Sequence, residues 1–289
     1  MKFITGFLLL TSMLPAFSQT SSVLSQGLVR PESAYVLGDT LYISNQSGPG
    51  TLKDGVGWIQ KLDLKGNVLS EKWVEGLNAP KGLRAFDGKL YAGDIDELAV
   101  IDLQTGTYEK VPFPGAKLLN DVAIDASGTV YVADTYGSKV YRFDPRTKEI
   151  SVVLELDQAP NGLLQSGDLL YVAASGKVNA TATGIEAGSK GSVLTFNLST
   201  GELKTLVPEL GYLDGIELTR EGQLLVSAKQ VQALYWIDVK DGKILGSLQG
   251  TSPLASFTDV ADIGYDAKTG TVYVPNTNFH NVQVIQLKR

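Results

Sequence analysis

The sequence contains no cysteine and a single histidine, His280, among its 289 residues. The missing thiols exclude disulfides, Cys-ligated zinc and a cysteine nucleophile. One imidazole is too few for a His-rich metal site or for a mechanism that needs two, so any metal must be held by oxygen atoms. Basic residues are outnumbered by acidic ones, 25 to 31. The sequence therefore lacks the basic surface expected of a protein whose main partner is nucleic acid.

Long apolar runs are also missing, apart from a short one at the N-terminus. Residues 1–18 read MKFITGFLLLTSMLPAFS. Lys2 provides a positive start, residues 3–14 form an apolar stretch too short to span a bilayer, and Ala16 and Ser18 are small residues at the spacing of a signal-peptidase site. We predict cleavage after Ser18 rather than a buried helix. The mature protein, without a membrane span, is then exported to the periplasm or the extracellular space.

The chain does contain a short phrase that occurs six times, typified by VYVAD at residues 130–134. Its copies recur at intervals of roughly 40–50 residues, most of them after a Gly turn. They start at Leu41, Leu90, Val130, Leu170, Leu224 and Val272. A second apolar phrase, such as VYRFD at residues 140–144, follows each copy. Each unit therefore predicts four short antiparallel strands, and the period is typical of a β-propeller blade.

These repeats predict an all-β fold, a six-bladed β-propeller that forms one domain over residues 19–289. The approximate blades are 31–76, 77–114, 115–157, 158–210, 211–252 and 253–289. The last unit ends after its third strand, and an orphan strand, Ser22–Arg30, precedes the first unit. We therefore expect residues 22–30 to supply the outermost strand of the last blade and to close the ring. Folds that alternate helices with strands, such as the TIM barrel and the Rossmann fold, do not fit.

The first strand of each propeller blade lines the central channel. Aligned by their distance to the following turn, the first strands place a ring of mostly polar residues at one mouth: Glu32, Lys81, Asn120, Asn161, Asp214 and either Ala261 or Asp262. Such a ring is costly to bury unless its members are paired, hydrogen-bonded or bound to metal. Four members offer two carboxylates and two amide carbonyls, which suit Ca²⁺ and accept Mg²⁺ or Mn²⁺. Any one of these residue types also suits a local turn.

The ordered set of first-strand motifs carries a family resemblance. Pro31-Glu32 opens the first blade, Asn120-Asp121 the third, Pro160-Asn161-Gly162-Leu163 the fourth and Asp214-Gly215 the fifth. Across the mature chain, this order resembles the calcium-dependent six-bladed propellers that include gluconolactonases, senescence marker protein, diisopropyl fluorophosphatase and paraoxonases. The resemblance implies that a divalent cation, most readily Ca²⁺, is bound by Glu32, Asn120, Asn161 and Asp214. It also implies hydrolysis of a lactone or a related ester.

Metal-assisted hydrolysis needs a group that activates water or attacks the substrate directly. Asp214 is the first candidate for this catalytic role, and Asp121, Asp262 and His280 are second candidates. His280 belongs to a loop expected on the same face, and an imidazole titrates near neutrality. Lys81 would pair with a carboxylate or with an anion on a small-molecule substrate.

The substrate pocket is expected at the same mouth of the channel. Four second strands end there with a residue that would either line the rim of the pocket or cap a turn: Asn45, Asp94, Asp134 and Asn276. Two long loops, residues 46–56 and 175–190, would cover a small-molecule substrate. A closed propeller needs no partner for its stability, so we expect a monomer.

Two other functions fit the same sequence. Many propellers bind peptide, carbohydrate or protein without catalysis, and a fold alone does not imply chemistry. The ring would then hold a structural ion or only water. The third possibility is a carbon–carbon bond-forming enzyme similar to strictosidine synthase, which shares the fold. Calcium-dependent thermal stabilisation together with a chelator-sensitive esterase activity would favour the hydrolase.

Overall fold

The computed structural model of the protein describes residues 18–181, 184–187, 189–229, 231–249 and 259–288. The predicted signal segment therefore lies outside the described residues, except for Ser18. The described chain forms six four-stranded antiparallel sheets, and its one helix is the short 3₁₀ turn Thr277–Phe279. The predicted all-β, six-bladed propeller is confirmed. No helix in the described part of the chain is long and apolar enough to span a membrane.

The first three blades take their four strands from consecutive segments, with the innermost strand first. Blade 1 consists of β2 (Pro31–Leu37), β3 (Thr40–Asn45), β4 (Gly57–Asp63) and β5 (Val68–Leu77). Blade 2 consists of β6 (Leu83–Phe86), β7 (Lys89–Asp94), β8 (Glu97–Asp102) and β9 (Tyr108–Pro112). Blade 3 consists of β10 (Leu119–Ile124), β11 (Val130–Asp134), β12 (Lys139–Asp144) and β13 (Glu149–Glu155).

The last three blades depart from this plan in two places. Blade 4 consists of β14 (Pro160–Ser166), β15 (Leu169–Ala174), β18 (Gly191–Asn197) and β19 (Leu203–Gly211), with an inserted hairpin of β16 (Val178–Thr181) and β17 (Gly184–Ala187). Blade 5 consists of β20 (Leu213–Leu218), β21 (Gln223–Ala228), β22 (Ala233–Asp238) and β23 (Ile244–Gln249). Blade 6 consists of β24 (Gly264–Asp266), β25 (Thr271–Asn276), β26 (Asn281–Lys288) and β1 (Ser18–Leu24).

A glycine turns the chain between the first and second strands of every blade, as the repeat predicts. All six have φ between 59° and 86°, a left-handed conformation that glycine adopts without a Cβ clash: Gly38, Gly88, Gly128, Gly167, Gly222 and Gly270. These turns set the register of each inner hairpin. They therefore fix the depth at which each first strand enters the channel.

The N-terminal strand closes the ring in the last blade, as expected, but its bounds differ from the prediction. β1 pairs antiparallel with β26 from Ser18 opposite Lys288 to Leu24 opposite Val282. Only three of the residues expected in this strand, 22–24, belong to it. The chain then turns at Gly27, whose φ is 68°, and buries Leu28 in the core. The turn leads directly into blade 1 and ends the closing strand early.

Apolar side chains join each blade to the next. Among the described residues, the core divides into six clusters, each of which spans one pair of adjacent blades. The cluster between blades 6 and 1 includes Leu41 and Tyr273, and the Tyr273 hydroxyl donates to the carbonyl of Leu64 at 3.0 Å. Backbone hydrogen bonds between Asp262 and β2 complete this junction. The ring is thus closed by packing as well as by the shared last blade.

Candidate functional site

A cavity of about 440 Å³ opens at one mouth of the central channel. Five of the aligned first-strand positions line it, and each of these residues is at most 6% exposed: Glu32, Lys81, Asn120, Asn161 and Asp214. The sequence left Ala261 and Asp262 as alternatives for the sixth position, and the backbone pairing decides between them. A parallel bridge pairs Asp262 with Ser33, which aligns Ala261 with Glu32. The ring therefore has five polar members and one alanine.

Four members of this ring stand where the first two strands of their blade lose register. The shifts lie between Pro31 and Ala34, Leu119 and Val122, Pro160 and Gly162, and Leu213 and Ile216. The ring residue is the first residue inside each of these shifts: Glu32, Asn120, Asn161 and Asp214. A β-bulge bends its strand and redirects a side chain. Because the same irregularity recurs in four blades, four polar side chains turn toward one mouth of the channel.

Each of these four side chains keeps one buried oxygen without a hydrogen-bond partner among the described residues: Glu32 Oε2, Asn120 Oδ1, Asn161 Oδ1 and Asp214 Oδ1. The amide of Asn161 is oriented by its nitrogen, which donates to the carbonyl of Leu213 and to Ser175 Oγ, both at 3.2 Å. A carbonyl can only accept, so rotating this amide would set two acceptors against each other. The oxygen of Asn161 therefore faces the cavity.

The amide of Asn120 has a similar arrangement, with Nδ2 donating to Thr135 Oγ1 at 3.1 Å. The site thus offers two carboxylate and two amide oxygens, a hard donor set of charge −2 that fits Ca²⁺ and related cations. Orphaned buried oxygens are costly, and a bound cation would satisfy all four at once. No group of three or more His, Cys, Asp or Glu with a metal-binding arrangement occurs among the described residues. Half of the candidate donors here are amides.

Two lysines share the cavity with the two carboxylates. Burial raises the pKa of Glu32 to about 8, with Lys81 opposing and Asp214 adding to the shift. Burial also raises the pKa of Asp214 to about 6, against the attraction of Lys229 and Lys81. Burial lowers the pKa of Lys81. Lys229 Nζ lies 3.1 Å from Asp259 Oδ1, and the neighbouring carboxylates outweigh burial and raise its pKa.

The four strand-end residues, expected either to line the rim of the pocket or to cap a turn, bond to nearby backbone in the structure. Asp94 accepts from the backbone N–H of Ala79 at 2.7 Å, and Asp134 accepts from that of Leu118 at 2.8 Å. Asn45 accepts from the N–H of Val29 at 2.9 Å. Asn276 bonds to the carbonyl of Val274 and to Asn281. All four fix the backbone, and none of them lines the cavity.

The residue after each of these strand ends is the one that reaches the cavity in several blades. Gln46, Thr135 and Thr277 line it, as does Lys229 at the equivalent position of blade 5. Neighbouring residues of an extended strand point to opposite sides, so an error of one position reverses the assignment. Sequence reasoning missed these residues. They could have been found from the polar residue that directly follows the repeated phrase in these blades.

The second-choice catalytic residues also lie away from the cavity lining. Asp121 accepts from the N–H groups of Val122 and Leu163, both at 2.7 Å, and burial raises its pKa. Asp262 accepts from Ser33 Oγ, and burial raises its pKa well above the ordinary value. His280 is exposed, and its Nδ1 accepts from the backbone N–H of Arg30 at 3.0 Å.

The two long loops differ from each other. The first covers Lys81, since a Cβ on Gly50 would lie 3.3 Å from Lys81 Nζ and 2.9 Å from Gln46 Oε1. The second is not an irregular loop over its whole length, because β16 and β17 form a hairpin within it. Only the first loop contributes a described residue, Gln46, to the cavity lining.

An ion pair crosses the channel beneath the cavity. Arg84 lies three residues after Lys81 on the inner strand of blade 2, and Glu217 lies three residues after Asp214 in blade 5. These blades face each other across the ring, and Arg84 Nη2 lies 2.9 Å from Glu217 Oε1. The guanidinium also stands 5.4 Å from the ring centroid of Tyr35. This ion pair therefore joins the inner strands of two opposite blades beneath the cavity.

Comparison with solved structures gives the same architecture. A streptogramin B lyase matches with a TM-score of 0.63 and 13% identity, over 94% of this chain and 98% of the lyase. A virginiamycin B lyase from Staphylococcus aureus matches with a TM-score of 0.65 and 12% identity, over 93% of this chain and 100% of the lyase. A protein of unknown function from Bacteroides thetaiotaomicron matches with a TM-score of 0.70 and 13% identity, over 94% of this chain and 76% of that protein. No family model matches the sequence, and no curated protein matches it either. At these identities the likeness shows the fold alone.

Proposed function

We propose that the protein is a divalent-cation-dependent hydrolase of a small lactone or related ester. The observation that carries this proposal is the convergence of four buried, unpartnered oxygens from four blades on one cavity. The cavity size fits a small molecule. Two of the solved propellers similar to this chain are named as lyases, which supports catalysis on such a scaffold. Ca²⁺ is the first candidate ion, and Mg²⁺ and Mn²⁺ are alternatives.

The ion would be held by the oxygens of Glu32, Asn120, Asn161 and Asp214. When bound, it would supply Lewis acidity toward the carbonyl oxygen of the substrate. Asp214 is our candidate for the proton carrier, because its carboxyl group lines the cavity and its pKa of about 6 leaves it ionised at neutral pH. It takes the proton of the attacking water as the new carbon–oxygen bond forms. It returns that proton to the leaving oxygen as the ester bond breaks.

Two tyrosines and the Arg84–Glu217 ion pair also lie near the proposed reaction site. Tyr136 and Tyr212 line the cavity, and burial raises the pKa of both phenols, so they stay protonated and serve as hydrogen-bond donors. The Arg84–Glu217 pair lies across the channel beneath the site. Substrate and product would enter and leave by the mouth lined by the ring.

Export is part of the same proposal. The closing strand β1 begins at Ser18, the residue after which we expect the signal peptidase to cut. Cleavage at this point removes one residue of the strand and leaves residues 19–24 to pair with β26. The mature chain thus keeps nearly all of the strand that closes its ring, and we expect it to act as a monomer.

The direct test is a screen of lactones and aryl esters with the mature chain in Ca²⁺ and in chelator. We expect hydrolysis that chelator abolishes and added Ca²⁺ restores. Asp214→Asn should lose at least 100-fold in kcat, within the range for a general base, whereas His280→Ala should keep full activity. Full activity in chelator would refute the metal dependence. Cation binding without hydrolysis of any compound would instead support a non-catalytic binding propeller with a structural ion.

A further inference from the structure

Lys81 is a buried lysine whose ammonium forms no contact ion pair among the described residues. It is 5% exposed and lines the cavity. Within the described part of the chain, no carboxylate oxygen comes within 4.0 Å of its Nζ, and the ammonium makes no hydrogen bond. Lys229, the other lysine of the cavity, differs because Asp259 holds it at 3.1 Å. A buried ammonium needs compensation, and that of Lys81 comes mainly from Glu32 and Asp214, which attract it without contacting it.

The surroundings of Lys81 keep its ammonium at the cavity wall. The Gly50 backbone packs over it so closely that a Cβ there would stand 3.3 Å from Nζ. Arg30 adds a second cationic side chain to the lining, and its Nε is buried without a hydrogen-bond partner among the described residues. The outer guanidinium nitrogen Nη1 donates to Asn278 Oδ1 at 2.7 Å. Two cations therefore line the cavity with unused donor capacity.

The charges in the cavity do not balance once the proposed ion is bound, which leaves Lys81 and Arg30 available for an anion. In their ionised forms Glu32 and Asp214 supply two negative charges, and both provide donors for the proposed ion. A divalent cation on that set would neutralise the two carboxylates. Lys229 remains compensated by Asp259, but Lys81 and Arg30 then lack any negative partner among the described cavity residues. The loaded cavity would carry a net positive charge next to the reacting group.

We propose that the substrate carries an anionic group, a carboxylate, which Lys81 binds beside the ester that is cleaved. Lys81 occupies the ring position between Glu32 and Asn120, so the carboxylate and the ester lie close together in the substrate. The substrate class is thus a lactone or ester of a hydroxy acid with a second, free carboxylate. This inference rests on the cation of the proposed function, which must occupy the two carboxylates, but binding of the anion does not require hydrolysis.

The test uses two probes of the same shape that contain no ester, the anionic tetrahydrofuran-2-carboxylate and the neutral tetrahydrofuran-2-carboxamide. Their dissociation constants are measured by calorimetry on the mature chain in saturating Ca²⁺. We expect the carboxylate to bind about 10- to 100-fold more tightly, which is the effect of one charge-assisted hydrogen bond in a buried site. Lys81→Gln should remove this preference. Lys65→Gln, at an exposed turn, should keep it.

Hydrolysis of the matching lactones, 5-oxotetrahydrofuran-2-carboxylate and its carboxamide, separates the two proposals. Equal hydrolysis of both lactones, or equal binding of both probes, would overturn the anion site and leave the hydrolase intact. Tight binding of the carboxylate probe without hydrolysis of either lactone would overturn the hydrolase and support the anion site. An unchanged preference in Lys81→Gln would refute the assignment to Lys81. Circular dichroism of each variant confirms that it is folded.

Discussion

Replacing Arg84 by Met removes the positive end of the ion pair that crosses the channel. The side chains of Arg84 and Glu217 are only 11% and 16% exposed, so Glu217 would be left as a buried carboxylate without its partner. Asp121 and Asp262 would also lose the guanidinium that opposes the rise in their pKa. Breaking a buried pair by removing one partner costs about 3–5 kcal/mol. We expect a loss of this size at pH 8.

Urea unfolding of Arg84→Met at two pH values tests the electrostatic origin of this loss. The three carboxyl groups would titrate above their ordinary range in the folded variant, so the folded state would bind more protons than the unfolded state. Stability must then fall as the pH rises, and the deficit should be smaller at pH 5 than at pH 8. The double variant Arg84→Met/Glu217→Leu should recover most of the loss. A deficit that is independent of pH, or strictly additive effects of the two changes, would refute the reasoning.

Three further predictions follow from the packing of the ring. A chain that begins at Pro31 lacks the seven-residue strand β1 and should lose several kcal/mol of unfolding free energy, so an unchanged melting temperature would contradict the closure. Gly82→Ala would set a Cβ against Asp121 Oδ1 and should cost about 1–3 kcal/mol in urea unfolding. In chelator, stability should fall by up to about 4 kcal/mol as the pH rises from 4.5 to 8, because the folded-state pKa of Glu32, about 8, exceeds its ordinary value. A flat profile would contradict this expectation.

The blades could be predicted because each one repeats a local pattern. The glycine turns and the phrase typified by residues 130–134 specify hairpins without reference to the rest of the fold. The end of the closing strand could not be predicted in this way. It depends on the turn at Gly27 and on the burial of Leu28 in a cluster with Tyr273 and Val282 of the last blade, which is far away in sequence. The hairpin in blade 4 likewise lies outside the repeat.

The candidate site was likewise predictable only in part, in its ring but not in its rim. Counting back from the turns locates the ring, and the structure brings Glu32, Asn120, Asn161 and Asp214 to one cavity. Which residues at the ends of the second strands line the rim of the cavity depends on the side of the strand that each one faces. That parity is set by bulges and by contacts between blades, which the sequence does not display. Lys229 was missed for this reason, although it follows the repeated phrase directly.

The most direct test of the cation site is thermal unfolding of the mature chain at increasing Ca²⁺, after treatment with chelator. Saturation at 100 times the dissociation constant should stabilise the fold by about 2.7 kcal/mol and raise its melting temperature. Glu32→Gln and Asn161→Leu should abolish the shift, whereas Asp157→Asn, an exposed carboxylate outside the ring, should retain it. No shift of the wild-type protein with millimolar Ca²⁺, Mg²⁺ or Mn²⁺ would contradict the account.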